Sequence, residues 1–496
     1  MVTTMTQYET VIGLEVHVQL NTKSKMFCRC STDYTSAEPN THVCPVCLGM
    51  PGVLPTINKQ AVEYTIMSGL ALGCDIASFT KFDRKNYNYP DLMKGYQISQ
   101  YDQPLCGKGF MDINIDGAIR RIGITRIHLE EDVAKLHHES DINGQPYSLL
   151  DINRSSIPLM EIVSEPDMRT PEEARQYLMK LRTIMRYLGV STANMEDGSF
   201  RCDANISIRP EGSDALGAKV EVKNMNSFKA VFSALEYEEI RQRKMADEGK
   251  KISQETRGWQ DDKCQTVSQR SKEFAHDYRY FPEPDLPPLH ISCDWIEAIR
   301  AKLPELPEVR KERFIQGYWL SEYDASLLTA SRELADYFEA VLSEADFQNI
   351  PQDKGVKEVA NWVVGPVSSI MNTAGADINA FALKVSPASL CHLLVLVSAG
   401  KVNAATAKAV LEDMYSTGQN AETIIEKKGL SQISDSSELV AIAKKVLADN
   451  PKAVAEYNEG KTQVIGFLVG QMMKQSKGRA NPNIAMELLK KALEEG

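Results

Sequence analysis

The run Val11-Ile12-Gly13-Leu14-Glu15-Val16-His17-Val18 alternates apolar and polar residues, the period of a half-buried β-strand. Leu14, Val16 and Val18 then face a core, and Glu15 and His17 share the opposite face. The same alternation recurs in Ile122-Gly123-Ile124-Thr125-Arg126-Ile127-His128, Asn205-Ile206-Ser207-Ile208 and Lys219-Val220-Glu221-Val222-Lys223. Residues 1–295 therefore read as one β-rich domain. Helical stretches interrupt it; one opens Thr170-Pro171-Glu172-Glu173, an N-cap, a first-turn proline and early acids.

Past the proline-rich Phe281-Pro282-Glu283-Pro284-Asp285-Leu286-Pro287-Pro288 the pattern turns helical and stays so. The expected class is α+β: a large β-rich domain, then a helical module over 296–410 and a helical tail over 411–496. A chain of 496 residues has room for three such cores. Hydrophobic content of 43% and charged content of 25% are those of a soluble globular protein. The start lacks the basic flank and apolar run of a signal peptide, and no apolar stretch could span a bilayer. A cytoplasmic protein without membrane contact is expected. The net charge of -11 argues against a general DNA or nucleic-acid binder, but leaves room for a local basic patch.

Four of the ten cysteines, Cys28, Cys30, Cys44 and Cys47, fall within twenty residues. Two close pairs separated by a loop suit a tetrahedral structural Zn2+ with no ligand position left for water. Elsewhere carboxylates sit on strand faces: Glu15 beside His17, Asp203 with Asn205 and Ser207, and Glu221 between Lys219 and Lys223. Glu130-Glu131-Asp132 closes another strand. Taken singly each is an ordinary solvent face; together they offer oxygen ligands for Mg2+. The stretch Lys81-Phe82-Asp83-Arg84-Lys85-Asn86-Tyr87-Asn88-Tyr89 interleaves cations and aromatics, which suits a nucleotide phosphate or an RNA end and equally an ordinary surface loop. Lys474, Lys477 and Arg479 give the tail a small positive surplus at a helix end.

Gly460-Lys461-Thr462 is not a P-loop, because Ala455 stands where its first glycine belongs and no strand precedes it. There is no GxGxxG, HExxH or GxSxG, and no Gly/Ser-rich amidase tract.

Several runs taken together resemble the B subunits of aspartyl/glutamyl-tRNA amidotransferases. They are Val11 to His17, Lys81 to Tyr87, Tyr96-Gln97-Ile98-Ser99-Gln100, Glu130-Glu131-Asp132, Leu159-Met160-Glu161-Ile162-Val163-Ser164-Glu165-Pro166-Asp167, Arg201 to Ser207, Asp277 to Asp285, and Gly466-Phe467-Leu468-Val469-Gly470-Gln471. The resemblance implies a kinase-like catalytic domain, a helical cradle and a YqeY-like tail that contacts tRNA through Lys474, Lys477 and Arg479. It implies that ATP phosphorylates the side-chain carboxylate of Glu-tRNA(Gln) or Asp-tRNA(Asn), and that ammonia from a partner amidase (glutaminase) displaces the phosphate. It implies, too, a small third subunit that completes a heterotrimer. On this reading Glu15, His17, Glu131, Asp203 and Glu221 line the Mg2+/ATP site, with His17, Glu131 and Glu221 as metal ligands. Lys85 and Arg84 meet phosphate. A zinc-bearing RNA scaffold and a stand-alone ligase acting on a small carboxylate are the competing readings.

Overall fold

The computed structural model describes residues 7–271, 278–430, 436–458, 461–476, 480 and 482–494. The chain forms two compact units, Met1–Leu306 and Pro307–Gly496.

The first unit is built on an eight-stranded sheet. Its spatial order is Gln265–Ser271, Glu255–Gln260, Val220–Met225, Phe200–Pro210, Tyr8–Gln19, Pro158–Ser164, Ala118–Glu131 and Gly109–Ile115. Neighbours run antiparallel except Val220–Met225 beside Glu255–Gln260. The alternation in Tyr8–Gln19 works as its pattern predicts: Leu14, Val16 and Val18 are at most 1% exposed and enter the core. Helices Pro171–Tyr187 and Phe228–Asp247 pack on each other and on the sheet, and join Leu14, Val16 and Val18 in one core with Tyr177, Leu181, Val231 and Leu235. Each such side chain, fully buried, is worth about 1.5–3 kcal/mol, which sets the register against a one-residue slip. Thr170 caps the first of these helices by accepting from the Glu173 amide at 3.1 Å, and Pro171 opens it.

The opposite face of the sheet stays polar. Beside it lies a three-stranded sheet of Phe281–Pro282, Asp83–Asn86 and Tyr96–Ser99. The helix Cys293–Arg300 also belongs to this unit: Ile299 is in its core, and Trp295 Nε1 donates to Glu63 Oε1 at 3.1 Å. The first unit thus runs past the proline-rich stretch, to Leu306.

Among the described residues the second unit holds only helices and turns. It contains two separate hydrophobic cores, one drawn from Phe314 to Ile425 and one from Leu439 to Leu493. Between Gln352–Trp362 and Ser368–Ala374 the helix widens into a π-turn at Val363–Val367. Pro366 lies inside it and supplies no amide to an α-helical ladder. No helix among the described residues is long and apolar enough to cross a membrane.

Candidate active site on the polar sheet face

Strand register assembles the site. His17 stands directly opposite Arg201 on one side and Glu161 on the other, and Glu161 is opposite His128. One row on, Glu15 faces Asp203; beyond it, Asn205 faces Glu221. Directly opposed residues share a face, so the pairing forces these side chains together above the sheet. Glu130 joins them from two positions beyond His128.

His17 Nε2 lies 3.4 Å from Glu161 Oε2 and 3.7 Å from Glu130 Oε1. One donor atom from each of the three falls within 4.8 Å of the others. His128 Nε2 is 3.5 Å from Glu161 Oε2. Asn205 Nδ2 donates to Glu15 Oε1 at 2.9 Å, and Thr256 Oγ1 to Glu221 Oε2 at 2.9 Å. Lys223 bridges Asp203 and Glu221. His17, His128, Glu130, Glu161, Glu15, Asp203, Glu221 and Lys223 line a cleft of about 510 Å³ whose other wall carries Lys85, Tyr87, Tyr278 and Tyr280.

Charge in the cleft is set by close opposites. Burial disfavours the charged imidazole of His17, yet the Glu161 and Glu130 carboxylates outweigh it and push its pKa up to about 9. Burial likewise opposes charge on Glu130 and Glu161, but His128, His17 and Lys85 hold both carboxyls below their usual range. Burial opposes charge on Lys85 too, and its pKa is still raised, chiefly by Glu130; its Nζ sits 5.0 Å from the centre of the Tyr278 ring. Arg201 is held charged over Asp132, with Nη2 2.8 Å from Oδ2. A histidine with two ionised carboxylates fits a divalent cation, the imidazole being the less usual partner for Mg2+.

Five of the expected residues meet here: Glu15, His17, Asp203, Glu221 and Lys85. Glu131 does not. Alternation turns it away from Glu130, and it is buried in an ion pair with Lys94, accepting also from the Ile98 amide at 2.9 Å and Ser156 Oγ at 2.6 Å. Arg84 is likewise turned away from Lys85. Its guanidinium grips Glu283 at 2.6 and 2.8 Å and stacks 4.2 Å from the centre of Tyr96. Glu130, Glu161, His128 and Arg201 were not singled out from sequence. Glu161 had a signal, a lone acid in the otherwise apolar run Leu159 to Val163. Glu130 could be separated from Glu131 only by the strand's phase.

The four clustered cysteines come together, with their sulfurs all within 4.8 Å of one another. A hydrogen bond from the Cys28 thiol draws the Cys47 pKa down to about 5, helped by the Cys44 backbone and by Lys25, so a thiolate is ready. The Cys44 amide donates to Cys47 Sγ at 3.1 Å. Zinc bound tetrahedrally at about 2.3 Å would set sulfurs roughly 3.8 Å apart, so this cluster fits it. In the tail, Lys474 is exposed in the last turn of helix Ile465–Gln475; Lys477 and Arg479 lie outside the described residues, as does Asp277.

Comparison with known proteins adds the family. The GatB/GatE catalytic domain model matches residues 10–297, and the GatB domain model matches residues 336–493. A Dehalococcoides mccartyi protein, named as the B subunit of aspartyl/glutamyl-tRNA(Asn/Gln) amidotransferase, is 98% identical over 492 residues, 99% of this chain and 100% of the relative. Proteins of the same name from Carboxydothermus hydrogenoformans and Thermodesulfovibrio yellowstonii are each 54% identical over 489 residues. These matches cover 99% of this chain, and 99% and 100% of the respective relatives. The chain belongs to the family of aspartyl/glutamyl-tRNA(Asn/Gln) amidotransferase B subunits.

Proposed function

We propose that this chain is the activating subunit of a glutamine-dependent tRNA amidotransferase. ATP phosphorylates the side-chain carboxylate of Glu-tRNA(Gln) or Asp-tRNA(Asn), and ammonia then displaces phosphate to give the amide. A carboxylate resists nucleophiles until one of its oxygens becomes a leaving group, which is why ATP is consumed. The observation that carries the reading is the convergence of His17, Glu130 and Glu161 with Glu15, Asp203 and Glu221 beside Lys85 in one cleft.

His17, Glu130 and Glu161 would hold Mg2+, with Glu15, Asp203 and Glu221 beside them; Glu130 takes the place expected of Glu131. The cation, when bound, neutralises phosphate charge during transfer. Lys85, protonated by its surroundings, offers a positive charge to the transferring phosphoryl group. Lys223 does the same from the other side, its ammonium kept charged by Asp203 and Glu221 against burial. Arg84 supports the wall by fixing Glu283 and Tyr96 rather than meeting phosphate.

On this reading the kinase-like domain takes the first unit, to Leu306 rather than 295. The cradle takes the core from Phe314 to Ile425, so the boundary expected at 410, which falls inside helix Ala404–Thr417, moves beyond Ile425. The YqeY-like, tRNA-contacting tail takes the core from Leu439 to Leu493. Zinc on the four cysteines is structural. The ammonia comes from a partner amidase, with a small third subunit completing the heterotrimer, since this chain carries no amidase motif. The test is ATP hydrolysis by the chain co-purified with its amidase partner, with and without Glu-tRNA(Gln), for wild type, Glu130→Gln and Glu131→Gln. Turnover that needs charged tRNA and is lost in Glu130→Gln is expected; turnover indifferent to tRNA refutes the reading.

A further inference from the structure

A second cleft of about 510 Å³ continues the polar face of the central strand. Gln19 forms its near wall. It follows His17 by two residues on the same face of the strand, about 7 Å further along. Gln19 Nε2 donates to Asp132 Oδ2 at 2.6 Å, and Asp132 pairs with Arg201 in the first cleft. One side-chain wall therefore separates the two spaces. Asn21, Lys23, Asp33, Tyr34, Thr35 and Thr192 line the second. The side chains of Asn21, Lys23 and Thr35 make no hydrogen bond among the described residues, so their donors and acceptors are open to a ligand.

The lining is chemically distinctive. Hydroxyls and amides outnumber charges, and Lys23 is the only cation of the described lining, against Asp33 and Asp197. Such a cleft is poor for phosphate and suited to a nucleoside: hydroxyls and amides for base edges, a carboxylate for a ribose diol, and the Tyr34 ring as a stacking surface. The volume accommodates a group of that size. A nucleoside could come from ATP or from the 3′ end of an RNA. Charge separates them. The triphosphate of ATP placed here would lie in a cleft whose described lining offers one cation, Lys23, against Asp33 and Asp197. An aminoacyl ester carries no negative charge along its link, and a glutamyl group spans roughly 6 Å from ester oxygen to side-chain carboxylate, close to the spacing of Gln19 and His17.

We propose that this cleft seats the terminal nucleoside of the aminoacylated RNA, with the attached side-chain carboxylate reaching over Gln19 to the His17 cluster. This rests on the activating role proposed above, and it assigns the substrate's anchoring site.

The test uses the complete enzyme with its amidase partner. The variants are Tyr34→Phe and the pair Asn21→Ala with Thr35→Val, exposed or half-buried positions whose loss leaves the fold's hydrogen bonds intact apart from the 3.4 Å contact of Tyr34 with Gln19. KM for charged tRNA should rise about tenfold in the paired variant. KM for ATP should not change, and the effect should be the same with glutamine or free ammonium as donor. A rise in KM for ATP overturns the assignment in favour of the nucleotide's own nucleoside. A loss confined to glutamine-dependent amidation overturns it in favour of a contact with the amidase, and unchanged kinetics in both variants overturn it outright. Wild-type enzyme whose ATP turnover ignores charged tRNA would instead refute the activating role itself, and this inference with it.

Discussion

His17 makes apoprotein stability and cation affinity respond to pH in opposite directions. Its pKa rises from 6.5 to about 9 because Glu161 and Glu130 overcome the cost of burial. A group whose pKa is raised on folding stabilises the fold fully below its unfolded value, and the contribution disappears as pH climbs through the folded value. For His17 the window runs from about pH 6.5 to about 9, and the contribution is about 3 kcal/mol. A divalent cation needs the same imidazole neutral, so it must displace that proton. At pH 7.5 His17 is therefore mostly protonated, and cation binding should release about one proton per site. Apparent affinity should rise about tenfold per pH unit, roughly a hundredfold between pH 6.5 and 8.5, and level off near 9. Calorimetric titration with Mn2+ in two buffers of different ionisation enthalpy counts the protons, and thermal unfolding with and without cation follows stability. His17→Gln should abolish the proton release and flatten the stability profile. Cation binding in wild type with no proton uptake by buffer at pH 7.5 would refute the argument.

The adjacent acids Glu130 and Glu131 should separate cleanly. Glu131→Gln leaves Lys94 buried without its partner, and urea denaturation should show a loss of about 3–5 kcal/mol. Glu130→Gln should instead weaken cation binding, read by the same Mn2+ titration. Arg84→Lys removes a two-point grip on Glu283 and the stacking on Tyr96. It should cost about 1.5–3 kcal/mol in denaturant while KM for ATP stays put. Replacing Cys44 with serine should drop bound zinc to below one atom per chain by elemental analysis and lower the unfolding temperature, because metal binding contributes directly to folding of such a loop.

Much of this molecule is written locally. The strand containing Glu15 and His17 announces itself by two-residue alternation, because a pleated backbone sends successive side chains to opposite faces whatever surrounds it. The helix beginning at Pro171 is marked by its cap and first turn, which involve only neighbours in sequence. The cysteine spacing is equally local, and the four sulfurs do come together. That Lys85 and Glu221 belong to the same cleft was expected from likeness to a family, since nothing in the residues themselves states it.

What tertiary structure alone decided is which acid of a pair matters and which strands are neighbours. Glu130 and Glu131 have the same chemistry and adjacent positions, and only the phase of a fourteen-residue strand, pinned by the pairing of His128 with Glu161, sends one to His17 and the other to Lys94. Arg84 and Lys85 differ for the same reason. Glu161 reaches His17 because Pro158–Ser164 inserts between two strands distant from it in sequence. Alternation fixes what shares a face along one strand, but the order and register of strands depend on how the whole apolar face closes over its helices.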